Sequence, residues 1–197
     1  WDMPEDFNIK QVHPSLLGLV AELLLSPWHN EAKLQIQSPR EKGSYPGLSF
    51  SAGTDSTAAY LVLPDDTILG YHERSFESQL KHDNAKKLIN HLIDVHDRQV
   101  LSMPSNHEII RTYHDKSIGF STDLACASHL ILLADHLDIG GIAFGMPIDN
   151  SWLWKGRVFR NFENTPYFQY WRERFSHAGL DLILPIAGVS EAGAMKI

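Results

Sequence analysis

Cysteine is almost absent: Cys126 is the only one in 197 residues. An intrachain disulfide is therefore excluded, and a reduced, cytoplasmic setting is expected. Cys126 sits among Leu124, Ala125, Ala127 and Leu130, which reads as a small buried residue rather than a reactive thiol. The chain has neither a Cys-x-x-Cys pair nor a His-Glu-x-x-His run, so its 11 histidines carry no zinc-site spacing. Long apolar runs are missing too. A membrane-spanning helix needs about 20 apolar residues; no stretch comes near that, and no secretory leader pattern is visible. Positive charge is in deficit, with 17 Lys and Arg against 24 Asp and Glu, net −7. That disfavours a nucleic-acid partner, which calls for a basic face. Internal repeats and low-complexity tracts are also lacking.

What remains is an ordinary globular composition, 43% apolar, at a length that suits one core. The chain starts at Trp1 and stops at Ile197 inside what reads as a helix, so it is expected to be a fragment or a processed form, truncated at its C-terminus. Residues 1–46 read as an N-terminal appendage. A helix over 13–25 starts near Pro14 and stops at Ser26-Pro27. Residues 32–37 alternate apolar and polar, as an edge strand does, and 39–47 form a polar Gly/Pro linker.

Residues 47–197 alternate strand and helix. Strands are expected over 48–50, 67–72, 99–103, 140–144 and 181–184. Helices are expected over 56–63, 76–95, 122–137 and 166–178, with a last one opened by Ser190. Leu80, Leu88, Leu92, Ile93 and Val95 give the long second helix its apolar stripe. This order predicts βαβ units, hence an α/β fold with a Rossmann-like parallel sheet flanked by helices. Ligands of such sheets sit at the carboxyl ends of the strands. Residues 51–56, 71–74, 102–105 and 145–147 should therefore gather around one cleft.

The most informative stretch is Ser51-Ala52-Gly53-Thr54-Asp55-Ser56-Thr57. It stands between a predicted strand and a predicted helix. Such a junction points unpaired backbone N–H groups and the positive helix end at one spot, where a phosphate binds well. Small residues admit the anion closely, and the hydroxyls add donors. The plainer reading is an N-cap turn with Asp55 or Ser56 as the cap.

Through Ser51, Gly53, Asp55 and Ser56 the stretch resembles the SGGxDS loop of the PP-loop ATP pyrophosphatases, with Ala52 where that family usually has Gly. The order of later elements is similar to the branch containing 7-cyano-7-deazaguanine synthase. A long helix there precedes a strand ending in glycine, and a late strand ends in Pro-Leu, as Pro185-Ile186 stands here. The resemblance covers roughly 48–197. It implies an adenine nucleotide alpha-hydrolase-like fold that binds the β- and γ-phosphates of ATP on this loop, with Asp55 and Ser56 as the catalytic candidates. The branch's Lys-x-Glu reads Glu191-Ala192-Gly193 here, and its four-cysteine zinc site is absent. Queuosine-type chemistry and thiolation are thus not expected of this chain.

Other candidates follow from position. His72, at a strand end, is a ligand-binding or a structural histidine. Arg74 and Arg111, in cleft-side loops, either clamp a substrate anion or stay solvated. Asp55, Asp123 and Asp149 could hold Mg²⁺ beside ATP, Asp55 being nearest the loop. The run Trp152-Leu153-Trp154-Lys155-Gly156-Arg157-Val158-Phe159-Arg160 interleaves aromatics with cations. It suits base stacking with phosphate neutralisation, a protein interface, or packing on the sheet. Lys155, Arg157 and Arg160 are the cations expected to meet a substrate.

Three functions are expected from this. The first is ATP-dependent adenylation of an unidentified small molecule with Mg²⁺ and release of pyrophosphate, in a chain for which a homo-oligomer is compatible. The second is a non-catalytic nucleotide-binding module of a larger assembly. The third is an adenylyl-sulfate reductase-like protein, which would need a catalytic cysteine on a mobile tail.

Overall fold

The computed structural model describes residues 1–25, 38–75, 82–107, 109, 124–154 and 157–197. The sequence expectations for Ser26-Pro27, the 32–37 strand, and the first residues of the 76–95 helix fall outside these. Helix α1 is Pro14–Leu25; β1 is Tyr45–Ser49, α2 is Thr54–Val62, β2 is Ile68–Arg74, α3 is Asp83–His96 and β3 is Val100–Ser105. Then come α4 at Ser128–Leu132, β4 at Ile139–Phe144, β5 at Leu153–Trp154 and β6 at Val158–Phe159. Helix α5 is Pro166–His177, β7 is Asp181–Ile183 and α6 is Glu191–Ala194. Every segment named as a strand in the described region is one, because short apolar runs bounded by turn residues have few other uses.

Five strands form one parallel sheet in the order β3-β2-β1-β4-β7. Its interior strand β4, between β1 and β7, is buried at all six residues, as expected of a parallel strand covered on both faces. One core joins α1, α4 and α5 to the sheet through Leu16, Leu19, Leu23, Leu130, Ile131 and Phe175. The other joins α2, α3 and α6 through Leu48, Ala58, Leu69, Ile89, Leu92 and Ala194. The chain is thus an α/β protein with helices on both faces.

Three expectations need correction. The apolar stripe of α3 runs through Ile89 and Leu92, while Ile93 is 44% and Val95 63% exposed. Ile93 follows Ile89 by four residues and Val95 follows Leu92 by three, so they flank the stripe on its two sides, and only its centre is covered by the sheet. The 122–137 helix is a short 3₁₀ turn, Leu124–Ala127, followed by the five residues of α4. Turns then carry the chain to Asp138, which takes a left-handed φ of 53°. Finally, the described residues of α1 are not set apart from the rest, and a boundary at 46 cuts through β1. Val12, Leu16, Leu19, Val20 and Leu23 sit in the same core as β4 and α5. Glu22 is buried on α1 and accepts from Arg174 Nε at 2.7 Å, and Tyr170 Oη also donates to it.

Candidate functional site

The strand order changes direction beside β1. The chain moves from β1 outward to β2 and β3, then returns to place β4 on the other side of β1. In doubly wound sheets a crevice opens at the carboxyl ends of the strands at that switch point. A cavity of about 310 Å³ lies there. One wall is Ser51, Gly53, Thr54, Asp55 and Ser56, after β1. Tyr71, His72 and Arg74 at the end of the neighbouring strand β2, with His82 and His107, form another part of the lining. Phe144 at the end of β4, Gly145 after it, and Cys126 also line the cavity.

The loop wall is built by its own hydroxyls. Ser56 is 4% exposed. Its Oγ donates to Gly53 O at 3.1 Å, accepts from Ser51 N–H at 3.2 Å, and lies 3.0 Å from Ser51 Oγ. Thr57 Oγ1 donates to Gly53 O at 2.9 Å. Ser56 therefore ties the loop shut and shapes it. The N-cap of α2 is Gly53, which makes no side-chain cap bond, so the plain reading with Asp55 or Ser56 as the cap is not adopted. The first N–H groups of α2 have no intrahelical acceptor and no capping side chain.

Two backbone details keep this wall tight. A Cβ on Gly145 would meet Ser56 N at 2.6 Å and Asp55 C at 2.7 Å, so only glycine lets the end of β4 approach the start of α2. Ala52 stands at φ 56°, in the left-handed region. A Cβ there costs roughly 1–2 kcal/mol, and strain of this kind gathers at functional sites. Ala52→Gly is expected to stabilise the protein by about 0.5–1 kcal/mol, net of glycine's greater unfolded-state entropy. Urea unfolding measures it; a loss of stability would show that the loop carries no strain.

Electrostatics differ between the walls. The Asp55 carboxyl is pushed above its usual range, first by burial and then by the nearby charge of Asp149. Asp149 Oδ2 also accepts from Glu191 N–H at 2.9 Å, so it serves the start of α6. Beside β2, histidine rings cluster. His72 and His107 lie 4.3 Å apart between centroids, Trp1 stacks on His107 at 5.5 Å, and His129 lies behind His72 at 6.4 Å. His107 Nδ1 is 2.9 Å from Ser105 Oγ. His129 is fully buried. Burial first, and the neighbouring His72 second, push its pKa down to about 3. Its ring nitrogens make no hydrogen bond of good geometry, although the Gly70 and Cys126 backbones weakly favour a proton there.

The residues singled out from sequence divide clearly. Ser51, Gly53, Thr54, Asp55, Ser56, His72 and Arg74 line the cavity; Ala52 and Thr57 hold the loop from outside it. Arg111, Asp123 and Lys155 lie outside the described residues. Arg157 and Arg160 do not line the cavity, which corrects their expected place. The described part of that segment is the antiparallel pair β5–β6. There Arg160 Nε donates to Ser151 O at 2.8 Å and its Nη2 to Asn150 O at 3.1 Å. Arg160 thus clamps its own loop, and Arg157 is exposed. Trp152 stacks on Phe159 at 5.8 Å and packs against Met146, Phe162 and Phe168, the packing alternative.

Tyr71 lines the cleft as its place in 71–74 led one to expect, whereas His82, His107 and Cys126 were missed as cleft residues. His107 could have been found by its place just past the end of β3. Cys126 is only partly buried, with Sγ 3.3 Å from Ser49 Oγ, so the small core residue is also part of the cleft. Among the described residues no group of three or more His, Cys, Asp or Glu could hold a metal ion, and no helix is long and apolar enough to cross a membrane. No protein-family model and no curated protein matches the chain.

Proposed function

We propose that the chain binds ATP with its phosphates on residues 51–57 and adenylates a small molecule, as a PP-loop ATP pyrophosphatase does. The observation that carries this reading is the uncapped start of α2, closed by Ser51 and Ser56 and opening on a 310 Å³ cavity at the sheet's switch point. Backbone N–H groups and the helix end supply fixed positive potential there. In the reaction a carboxylate or carbonyl oxygen of the substrate bonds to the α-phosphorus. The bond from that phosphorus to the bridging oxygen breaks, and pyrophosphate leaves with the electron pair. Ammonia then adds to the activated carbon, AMP departs and a proton is released. The protein's share is positioning and charge neutralisation.

Mg²⁺ suits this site, since it takes one or two carboxylates and completes its shell with phosphate oxygens and water. Asp55, with Asp149 close enough to raise its pKa, would hold it, and it would offset charge on the leaving pyrophosphate.

The test is calorimetric titration with Mg-ATP. Asp55→Ala combined with Ser56→Ala is expected to weaken binding by about 1–3 kcal/mol, the scale of a lost charge-assisted contact and a loosened loop. Unchanged affinity in a folded variant would sink the assignment. A non-catalytic nucleotide-binding module is the second reading, favoured by one observation: Arg157 and Arg160 do not reach the cleft. ATP binding without pyrophosphate release on any candidate substrate would support it.

A further inference from the structure

The part of the lining built by β2 and His82 contains a chain of hydrogen-bonding contacts. Tyr71 Oη lies 2.7 Å from His82 Nδ1, and Arg74 Nη1 lies 3.4 Å from His82 Nε2. All three residues line the cavity. A guanidinium only donates, so Nε2 of His82 is the acceptor in that contact. The proton of the neutral ring then sits on Nδ1 and is donated to the Tyr71 oxygen. Tyr71's own proton is not used in that bond. The Tyr71 ring is 3% exposed and fixed in the core with Leu69 and Ile89. Its phenol is held protonated, with a pKa raised by burial first and by Glu73 second. The result is an oriented O–H donor on the cavity wall, backed by the positive charge of Arg74.

We propose that Tyr71, oriented by His82, donates a hydrogen bond to the acceptor oxygen of the acyl group being adenylated, and so selects substrates that present a carbonyl or carboxylate oxygen at that place. The inference rests on the adenylation reading above. A site built to donate rejects ligands that lack the acceptor, because its buried hydroxyl would then go unpaired.

The test compares AMP with 5′-O-(N-acetylsulfamoyl)adenosine, a stable analogue of acetyl adenylate, by calorimetry. The parent protein is expected to bind the analogue at least tenfold more tightly than AMP. Tyr71→Phe keeps the ring and should lose about tenfold on the analogue and less than twofold on AMP. His82→Leu leaves Tyr71 in place but frees its hydroxyl to rotate. It should lose roughly threefold on the analogue alone, which tests the chain even if Tyr71→Phe does not fold. A parent that binds neither compound overturns the nucleotide reading and this inference with it. A parent that binds AMP but gains nothing from the acetyl group overturns this inference alone. So does a gain that survives both variants, or an equal loss on both compounds.

Discussion

On lowering the pH from 7 to 4.5, the parent protein is expected to lose roughly 2–3 kcal/mol more stability than a His129→Leu variant. The sign follows from where the proton binds. His129 is fully buried, and burial with the neighbouring His72 depresses its pKa to about 3. In the unfolded chain it returns to about 6.5. Between those values the unfolded state binds one more proton than the folded state, so acid pulls the equilibrium toward unfolding. The term is absent above about pH 6.5, grows by about 1.4 kcal/mol per pH unit below it, and levels off near the folded pKa. Leucine fills a similar volume beside Leu130 and cannot titrate. Urea unfolding of both proteins at both pH values isolates the term, because the carboxylates contribute to each alike. Parallel losses in the two proteins would mean that the folded ring takes up its proton as readily as the unfolded one, against acceptors in the fold.

Arg40→Ala should destabilise the protein by about 2–4 kcal/mol, the cost of removing a buried guanidinium and leaving its carbonyl acceptors unpaired. The Arg40 side chain is 6% exposed, and its Nε donates to Asp135 Oδ1 at 2.6 Å. Its remaining donors reach Ala134 O at 3.0 Å, Ile139 O at 3.2 Å and Gly179 O at 3.2 Å. One planar fork thus joins the turn before β4 to the end of α5. Asp135 keeps a second donor, His13 N–H at 2.7 Å, so the orphaned carbonyls carry much of the cost. Arg40→Lys should recover little, since a lysine cannot span these acceptors at once. Denaturant unfolding gives the number; a loss under about 1 kcal/mol would reduce Arg40 to a surface ion pair.

Arg40 also marks where sequence reasoning stops. It lies in the stretch that reads as a polar linker, and its role depends on carbonyls 94 to 139 residues away. No local pattern carries that information. The same holds for Glu22, a charged residue in an apolar helix that becomes interpretable only beside Arg174 and Tyr170 of α5. Arg160 fails in the opposite direction. A cation among aromatics suggests a ligand, yet its guanidinium is occupied by Ser151 O and Asn150 O.

The sequence by itself determined the alternation of strand and helix, the position of the phosphate-loop candidate between β1 and α2, and the place of His72 and Arg74 at the end of β2. These follow from short-range physics: apolar period, turn residues and the need of a parallel strand for a covered crossover. Only the tertiary structure decided that α1 joins the core shared by β4 and α5, that Ala52 bears the left-handed turn, and that His82 and His107 line the cleft with Tyr71. Those outcomes depend on which strand lies beside which. Strand order is set by burying both faces of the sheet at once, a constraint on the whole chain that no window of residues contains.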